Sequence, residues 1–199
     1  MEMNEQMLHK ALTAVGELRA YRKEQSFHLV VCGGSALIAA KTVTRATNDV
    51  DVLASLNYDR EVSMAYPLPA PLSRAAKDVA AELELKENWL NGNASFLFPD
   101  LAALPQWLWQ EVDRHDFGGW LRVDFISRRG QILLKTYAVL NREEPRDLQD
   151  LEALAPDAGE TTAAVRWVLR TIETLEHRDR LPDLLQHLGH AALLSELKG

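Results

Sequence analysis

With 199 residues, 47% of them hydrophobic and 26% charged, the chain can form one packed core or a compact domain with a helical appendage, and its mix excludes a disordered polymer. A net charge of −7 argues against an extended basic surface that tracks nucleic acid, while leaving room for a small local basic site. The lone cysteine, Cys32, excludes an internal disulfide. No apolar run approaches the ~18 residues of a membrane span, and the amino terminus MEMNEQMLHK lacks the order of a signal peptide, so a cytoplasmic protein without a membrane partner is expected.

Residues 4–23 read as a helix, because Leu8, Leu12, Val15 and Leu18 recur at helical spacing with a polar opposite face. Phe27–Cys32 is a nearly all-apolar run that suits an interior strand, and it places Cys32 in the core. After Gly33-Gly34, a short helix is expected over Ser35–Lys41, then a strand over Val50–Leu53. Pro67, Pro69 and Pro71 make 57–71 a loop, followed by a helix over Leu72–Lys86. The segment NWLNGNASFLFPD holds a turn at Asn91-Gly92, and Pro99 and Pro105 bracket a stretch without a clear pattern. Trp120–Ile126 alternates, with Leu121, Val123 and Phe125 on one face and Asp124 on the other. Beyond Ser127 the chain reads as helix throughout, over about 129–141, 145–155 from Pro145, 160–176 with Val165, Val168, Leu169 and Ile172, and 181–197. The change near residue 128 marks a boundary between a mixed domain, 1–128, and a helical lobe, 129–199. The late helices suit a bundle or a protein-binding face.

Two acids at alternate positions stand out. Period two puts Asp49 and Asp51 on one strand face and Val50 and Val52 on the other. The valines explain why the strand docks; they do not explain the acids. Adjacent carboxylates repel unless a cation lies between them, and magnesium favours carboxylate oxygens together with substrate phosphates. If the strand carrying Asp124 neighbours this one, three carboxylates could meet and hold divalent ions, with Asp124 helping to activate an attacking oxygen. The alternative is structural, with Asp49 capping or ending a strand and Asp51 a solvent-facing strand residue. Gly33, Gly34 and Ser35 add weight to the functional side. Glycines after a strand permit a positive φ or close backbone approach, and amides exposed in such a turn bind phosphate oxygens. Ser35 could cap the next helix or donate to a phosphate, Arg45 could steady phosphates, and Thr47 could order the loop. Neither G-x-x-x-x-G-K-[ST] nor G-x-G-x-x-G is present, and the histidines form no HExxH. The tryptophans lack interleaved basic residues and read as core.

Gly33-Gly34-Ser35, 13 intervening residues, and Asp49-Val50-Asp51 together resemble the signature of the polymerase-beta-like nucleotidyltransferase superfamily. Asp124, in LRVDFIS, matches the family's third acid in order and setting. Arg45 to Asp51 is similar to the R-x-T-x-D-hydrophobic-D form of minimal, toxin-like members. KTYAVLNREEPRDLQDL, residues 135–151, resembles a segment of the type IV abortive-infection toxins. The resemblance spans about 27–154, and residues 55–119 match nothing in it.

The resemblance implies an α/β fold, a short mixed sheet with flanking helices and a helical C-terminal lobe. It implies a metal-dependent nucleotidyltransferase using magnesium or manganese and an NTP, bound between the two parts. Asp49, Asp51 and Asp124 would hold metal; Gly33, Gly34, Ser35, Arg45, Thr47 and Lys135 would hold the nucleotide, with Arg142, Asp147 and Asp150 in support. Lys135, Arg142, Asp147 and Asp150 could equally form an ion-pair clasp joining helices, because Asp147 falls in line with Leu151 and Leu154. The acceptor is open among an RNA end such as that of tRNA, a protein hydroxyl and a small molecule. A cognate antitoxin is a candidate partner. The rival reading is a scaffold without turnover that binds a partner through its late helices.

Overall fold

The structure, a computed structural model, describes residues 3–98, 100–171 and 175–197. Pro99 and Ile172 lie outside the described residues. The chain divides into two compact units, Met1–Ser127 and Arg128–Gly199.

The first unit is built on β1, Phe27–Cys32, whose residues Leu29, Val30 and Val31 are fully buried. Such a run cannot lie at a solvated edge, and β1 is central. β2 (Val50–Leu56) pairs with it antiparallel and β6 (Leu121–Ile126) parallel. β3 (Val62–Met64) extends the sheet beyond β2, and β5 (Val112–Phe117) extends it beyond β6. A two-residue strand, β4 (Leu90–Asn91), lies parallel to β2. On β2, Leu53 is an extra residue, since Val30 pairs with Ala54 while Val31 pairs with Val52.

One face of this sheet is dry. Leu29, Val31, Val50, Val52, Val123 and Phe125 belong to one core with the apolar faces of α1 (Glu5–Tyr21) and α3 (Ala70–Leu83). α1 starts where the Asn4 side chain accepts the Met7 N–H at 2.9 Å. α3 carries Pro71 in its first turn and ends at Glu84 with a left-handed φ of 55°. Trp89 is fully buried and donates its indole N–H to the Ala76 carbonyl at 2.9 Å, tying the approach to β4 onto α3.

The second unit is helical: α4 (Arg128–Asn141), α5 (Pro145–Leu154), α6 (Ala158–Thr171), α7 (Leu175–His187) and the short α8 (Leu194–Leu197). Leu140, Leu151, Val165, Val168 and Leu185 are fully buried within it. The mixed sheet with helices and the helical C-terminal region agree with the expected fold class.

The differences have physical causes. In 57–71, expected to be loop, lies β3, a strand too short to show a period and with an exposed end. β5, VDRHDF, was not expected either. It is an edge strand with an exposed middle, so it needs no alternation of apolar residues. The single helix expected over 181–197 is instead two, α7 from Leu175 to His187 with Pro182 inside it and α8 from Leu194 to Leu197.

Trp89→Ala removes the largest fully buried side chain of the unit. It is expected to lower unfolding free energy by about 4 kcal/mol, read as a lower urea midpoint with an unchanged m-value.

Candidate functional site at the carboxyl end of the first strand

β1 ends at Cys32, and the chain turns at once into α2, Gly33–Ala39. The turn is made at Gly33, whose φ of +70° an L side chain rarely adopts. Space is as short as backbone freedom. A β-carbon at Gly33 would stand 3.0 Å from Asp51 Oδ2, and one at Gly34 would stand 3.0 Å from Thr47 Oγ1 and 3.5 Å from Arg45 Nη1. Two bare backbone positions are therefore faced by a carboxylate, a hydroxyl and a guanidinium.

Each of those groups is placed by the local fold. Asp51 pairs with Cys32 in the ladder, so its side chain lies on the sheet face opposite the helix-packed core, while Val50 and Val52 face that core. Thr47 is buried, and its backbone exchanges hydrogen bonds with Met3 at 2.6 and 2.9 Å. Its hydroxyl reaches Asp49 Oδ1 at 3.3 Å, holding the carboxylate that immediately precedes β2. Arg45 donates to the Ala46 carbonyl at 3.4 Å. Asp49 and Asp51 are both half-buried, as groups that meet a ligand must be. Ser35 behaves differently: it is 1% exposed, and its hydroxyl donates back to the Cys32 carbonyl at 3.3 Å. Its side chain helps to close the turn.

Asp124 does not join this group. The condition set for it was that its strand neighbour β2, and β1 lies between them. Its registered partners explain what it does instead. Arg114 stands opposite Asp124 across the β5–β6 hairpin, and Val30 stands beside it on β1. Arg114 donates from Nε at 2.7 Å and from Nη2 at 2.8 Å, a bidentate pair. His28, two residues before Val30 and so on the same face, brings Nε2 to 2.9 Å, and Arg60 Nη2 lies at 3.7 Å. Asp124 is fully buried. Burial by itself raises its pKa, but hydrogen bonds from Arg114 and His28 outweigh that and bring it down to about 2. A carboxylate so strongly held is a poor proton acceptor. Among the described residues, no group of three or more His, Cys, Asp and Glu stands where it could hold a metal ion.

The remaining sequence candidates lie together in the helical unit. Lys135, on α4, places Nζ 2.7 Å from Asp147 Oδ1 and 2.7 Å from Asp150 Oδ2, both on α5. Arg142 Nε closes on Asp147 Oδ2 at 2.7 Å. Asp147 and Asp150 are 2% and 1% exposed, and Lys135 is 8% exposed. Burial alone would lower the Lys135 pKa, yet Asp147 and Asp150 outweigh it and leave it raised. Burial likewise opposes the Asp147 charge, and Arg142 and Lys135 still hold its pKa below the usual range. This is the clasp between helices. The ammonium of Lys135, expected to reach nucleotide phosphates, lies between two buried carboxylates.

The sequence reading treated Asn91 only as part of a turn. In the fold it sits beside Asp51 in the β2–β4 ladder.

The family model described as "Nucleotidyltransferase of unknown function (DUF6036)" matches residues 7–94. The matched segment contains the glycine turn, Asp49, Asp51 and Asn91, and stops before Asp124 and before the clasp. No curated protein and no solved structure matches the chain. The chain thus carries a nucleotidyltransferase-like domain, related to the polymerase-beta superfamily, over part of its length. None of its described helices is long and apolar enough to cross a membrane.

Two predictions concern the ionic centres. The Asp124 carboxyl titrates near 2 in the folded state and near ~3.9 when unfolded. Its contribution, on the order of 2 kcal/mol, is complete above about pH 5 and disappears as pH falls towards 2. Acid titration of stability should therefore be shallower for Asp124→Asn than for wild type, with wild type the more stable at neutral pH. In the helical unit, Lys135→Met removes the ammonium from between the buried Asp147 and Asp150 carboxylates and is expected to cost about 3 kcal/mol. Because the Lys135 pKa is raised, wild type should lose this stabilisation only at alkaline pH above the ordinary lysine range, a loss that denaturant melts of the variant should lack.

Proposed function

We propose that the chain is a metal-dependent nucleotidyltransferase, moving a nucleoside monophosphate from an NTP to an acceptor hydroxyl with release of pyrophosphate. The observation that carries this reading is the approach of the Asp51 carboxylate to within 3.0 Å of the place a Gly33 side chain would occupy. Glycine there keeps room beside the Asp51 carboxylate, a combination suited to a phosphate chain bridged to carboxylates.

The residues fit a divalent cation. Asp49 and Asp51 would hold magnesium or manganese, since both are hard, half-buried oxygen donors and Asp51 lies over a cradle that a β-carbon would fill. Such an ion, when bound, supplies charge neutralisation for the triphosphate and acidifies the attacking hydroxyl. The chain's own residues do the rest. Thr47 fixes the Asp49 carboxylate by a hydrogen bond at 3.3 Å. Arg45, beside Gly34, meets phosphate oxygens, and the Gly33–Gly34 backbone admits them closely. The acceptor oxygen bonds to the α-phosphorus as the bond to the bridging oxygen of the β-phosphate breaks, and the hydroxyl proton passes to water. Asp124 and Lys135 take no part.

An RNA end such as that of tRNA, a protein side chain, and a small molecule such as an aminoglycoside each carry a suitable hydroxyl. The net charge of −7 disfavours a long RNA footprint. A toxin role with a cognate antitoxin, in the cytoplasm, draws on the likeness of Arg45 to Asp51 and of residues 135–151 to toxin sequences, and in the second of these the clasp accounts for Lys135, Arg142, Asp147 and Asp150. The second reading is a partner-binding scaffold without turnover. What favours it is the lack, among the described residues, of a three-acid group.

Calorimetry with each of the four ribonucleoside triphosphates separates the two. Magnesium-dependent binding is expected for wild type, and a loss of at least tenfold in affinity for Asp49→Ala/Asp51→Ala, as removal of charged ligands requires. Label from the α-phosphate should then enter cell RNA, protein or small molecules, with pyrophosphate released. Absence of binding with and without magnesium would sink the transferase and leave the scaffold.

A further inference from the structure

β4 is only two residues long, yet its position is firmly set. Trp89, the residue before it, is fully buried and bonded to the Ala76 carbonyl at 2.9 Å. The Val50 N–H donates to the Trp89 carbonyl at 2.5 Å, which starts the ladder between β2 and β4. After it comes Gly92, where a β-carbon would stand 2.3 Å from the Ala65 carbonyl oxygen, so this turn is pressed against the end of β3. The segment cannot slide without breaking one of these three contacts.

The register puts Leu90 beside Val50 and Asn91 beside Asp51. Leu90 and Val50 both enter the core under α1 and α3. Asn91 and Asp51 must then share the opposite face, on adjacent strands. Asn91 is 9% exposed. Its Oδ1 accepts the Asn93 N–H at 2.9 Å, which fixes the amide's orientation and leaves Nδ2 as the end available to donate.

We propose that Asn91 is the third polar group of the Asp49–Asp51 site, and that its Nδ2 donates a hydrogen bond to a phosphate oxygen of the bound triphosphate. This rests on the nucleotidyltransferase reading above. The geometry gives the position next to Asp51 to a neutral donor. Asp124, by contrast, is one strand further away and neutralised by Arg114. A neutral amide there attracts phosphate oxygen and adds nothing to cation binding, whereas a third carboxylate would tighten cation binding and repel the phosphates.

Two substitutions in the full chain test this. Asn91→Asp keeps an oxygen for the Asn93 N–H, removes the donor and adds a carboxylate beside Asp51. Manganese alone, followed by electron paramagnetic resonance, should then bind about tenfold tighter than to wild type. Asn91→Ala removes the donor without adding charge. Its manganese affinity should stay within about twofold of wild type, while the nucleoside triphosphate that wild type binds best should bind about tenfold more weakly. Unchanged manganese affinity in Asn91→Asp overturns the juxtaposition with Asp51. Unchanged triphosphate affinity in Asn91→Ala overturns the donor role. If wild type binds triphosphate and neither variant departs from it, this proposal alone falls. If wild type binds none, the nucleotidyltransferase reading falls with it.

Discussion

The first unit depends on a central strand that is buried on both faces and stops abruptly. β1 has no solvated side, so it must be flanked, and it is flanked by β2 and β6 on opposite edges. That single constraint divides the acids of the sheet. Asp51 falls on one flank, next to the end of β1, and Asp124 falls on the other flank, two residues further from that end. The abrupt stop has its own consequence. A chain that must leave a buried strand and enter a helix within one residue needs a left-handed turn there, which Gly33 supplies. The open cradle beside Asp51 is thus a by-product of ending β1 inside the protein.

Charge placement follows a second physical rule, that a buried carboxylate must be met by a cation in the protein or by one from outside. Asp124 is met by Arg114, and Asp147 by Lys135 and Arg142. Those acids are satisfied by folding. Both centres are also made within one unit, so each needs only local register: a hairpin opposition in one case, and two neighbouring helices in the other. Asp49 and Asp51 are partly exposed, and Asp51 lies over backbone that Gly33 keeps bare of a side chain. A solvated acid pair costs little to keep, and glycine is the expensive part of the arrangement, since it gives up conformational entropy on folding. That asymmetry is why the glycine turn says more about a ligand than the acids do.

Much of this was legible in the residues. Alternation in β2 and β6 separated core from polar face correctly, since Val50, Val52, Val123 and Phe125 all enter the core. Pro145 marked the start of α5, and the alignment of Asp147 with Leu151 and Leu154 signalled a buried acid needing a partner. Strand order was not legible. Nothing in LRVDFIS tells whether its strand lies against β2 or on the far side of β1, because period two reports faces and is silent on neighbours. β5 escaped because an edge strand need bury little. Asn91 escaped because a two-residue strand has no period to detect, and because Asn-Gly is first of all a turn signal.

The same blindness explains how one aspartate could be read in two ways. An acid on the polar side of a strand has the same sequence signature whether it ends up facing a cation from solvent or an arginine one strand away. What separates the two outcomes is the register of a second hairpin, here the opposition of Arg114 to Asp124. A third acid is therefore not required to explain the glycine–acid pair. In the proposed site, Asp49 just before β2, Asp51 on β2 and an amide on β4 would hold the cation on one side and receive the phosphates on the other. An acid in place of Asn91 would compete with those phosphates for the same ion, and an apolar residue would leave the Asp51 flank without a donor. Asparagine at this position meets both demands, and it does so on a strand that a buried tryptophan holds in register.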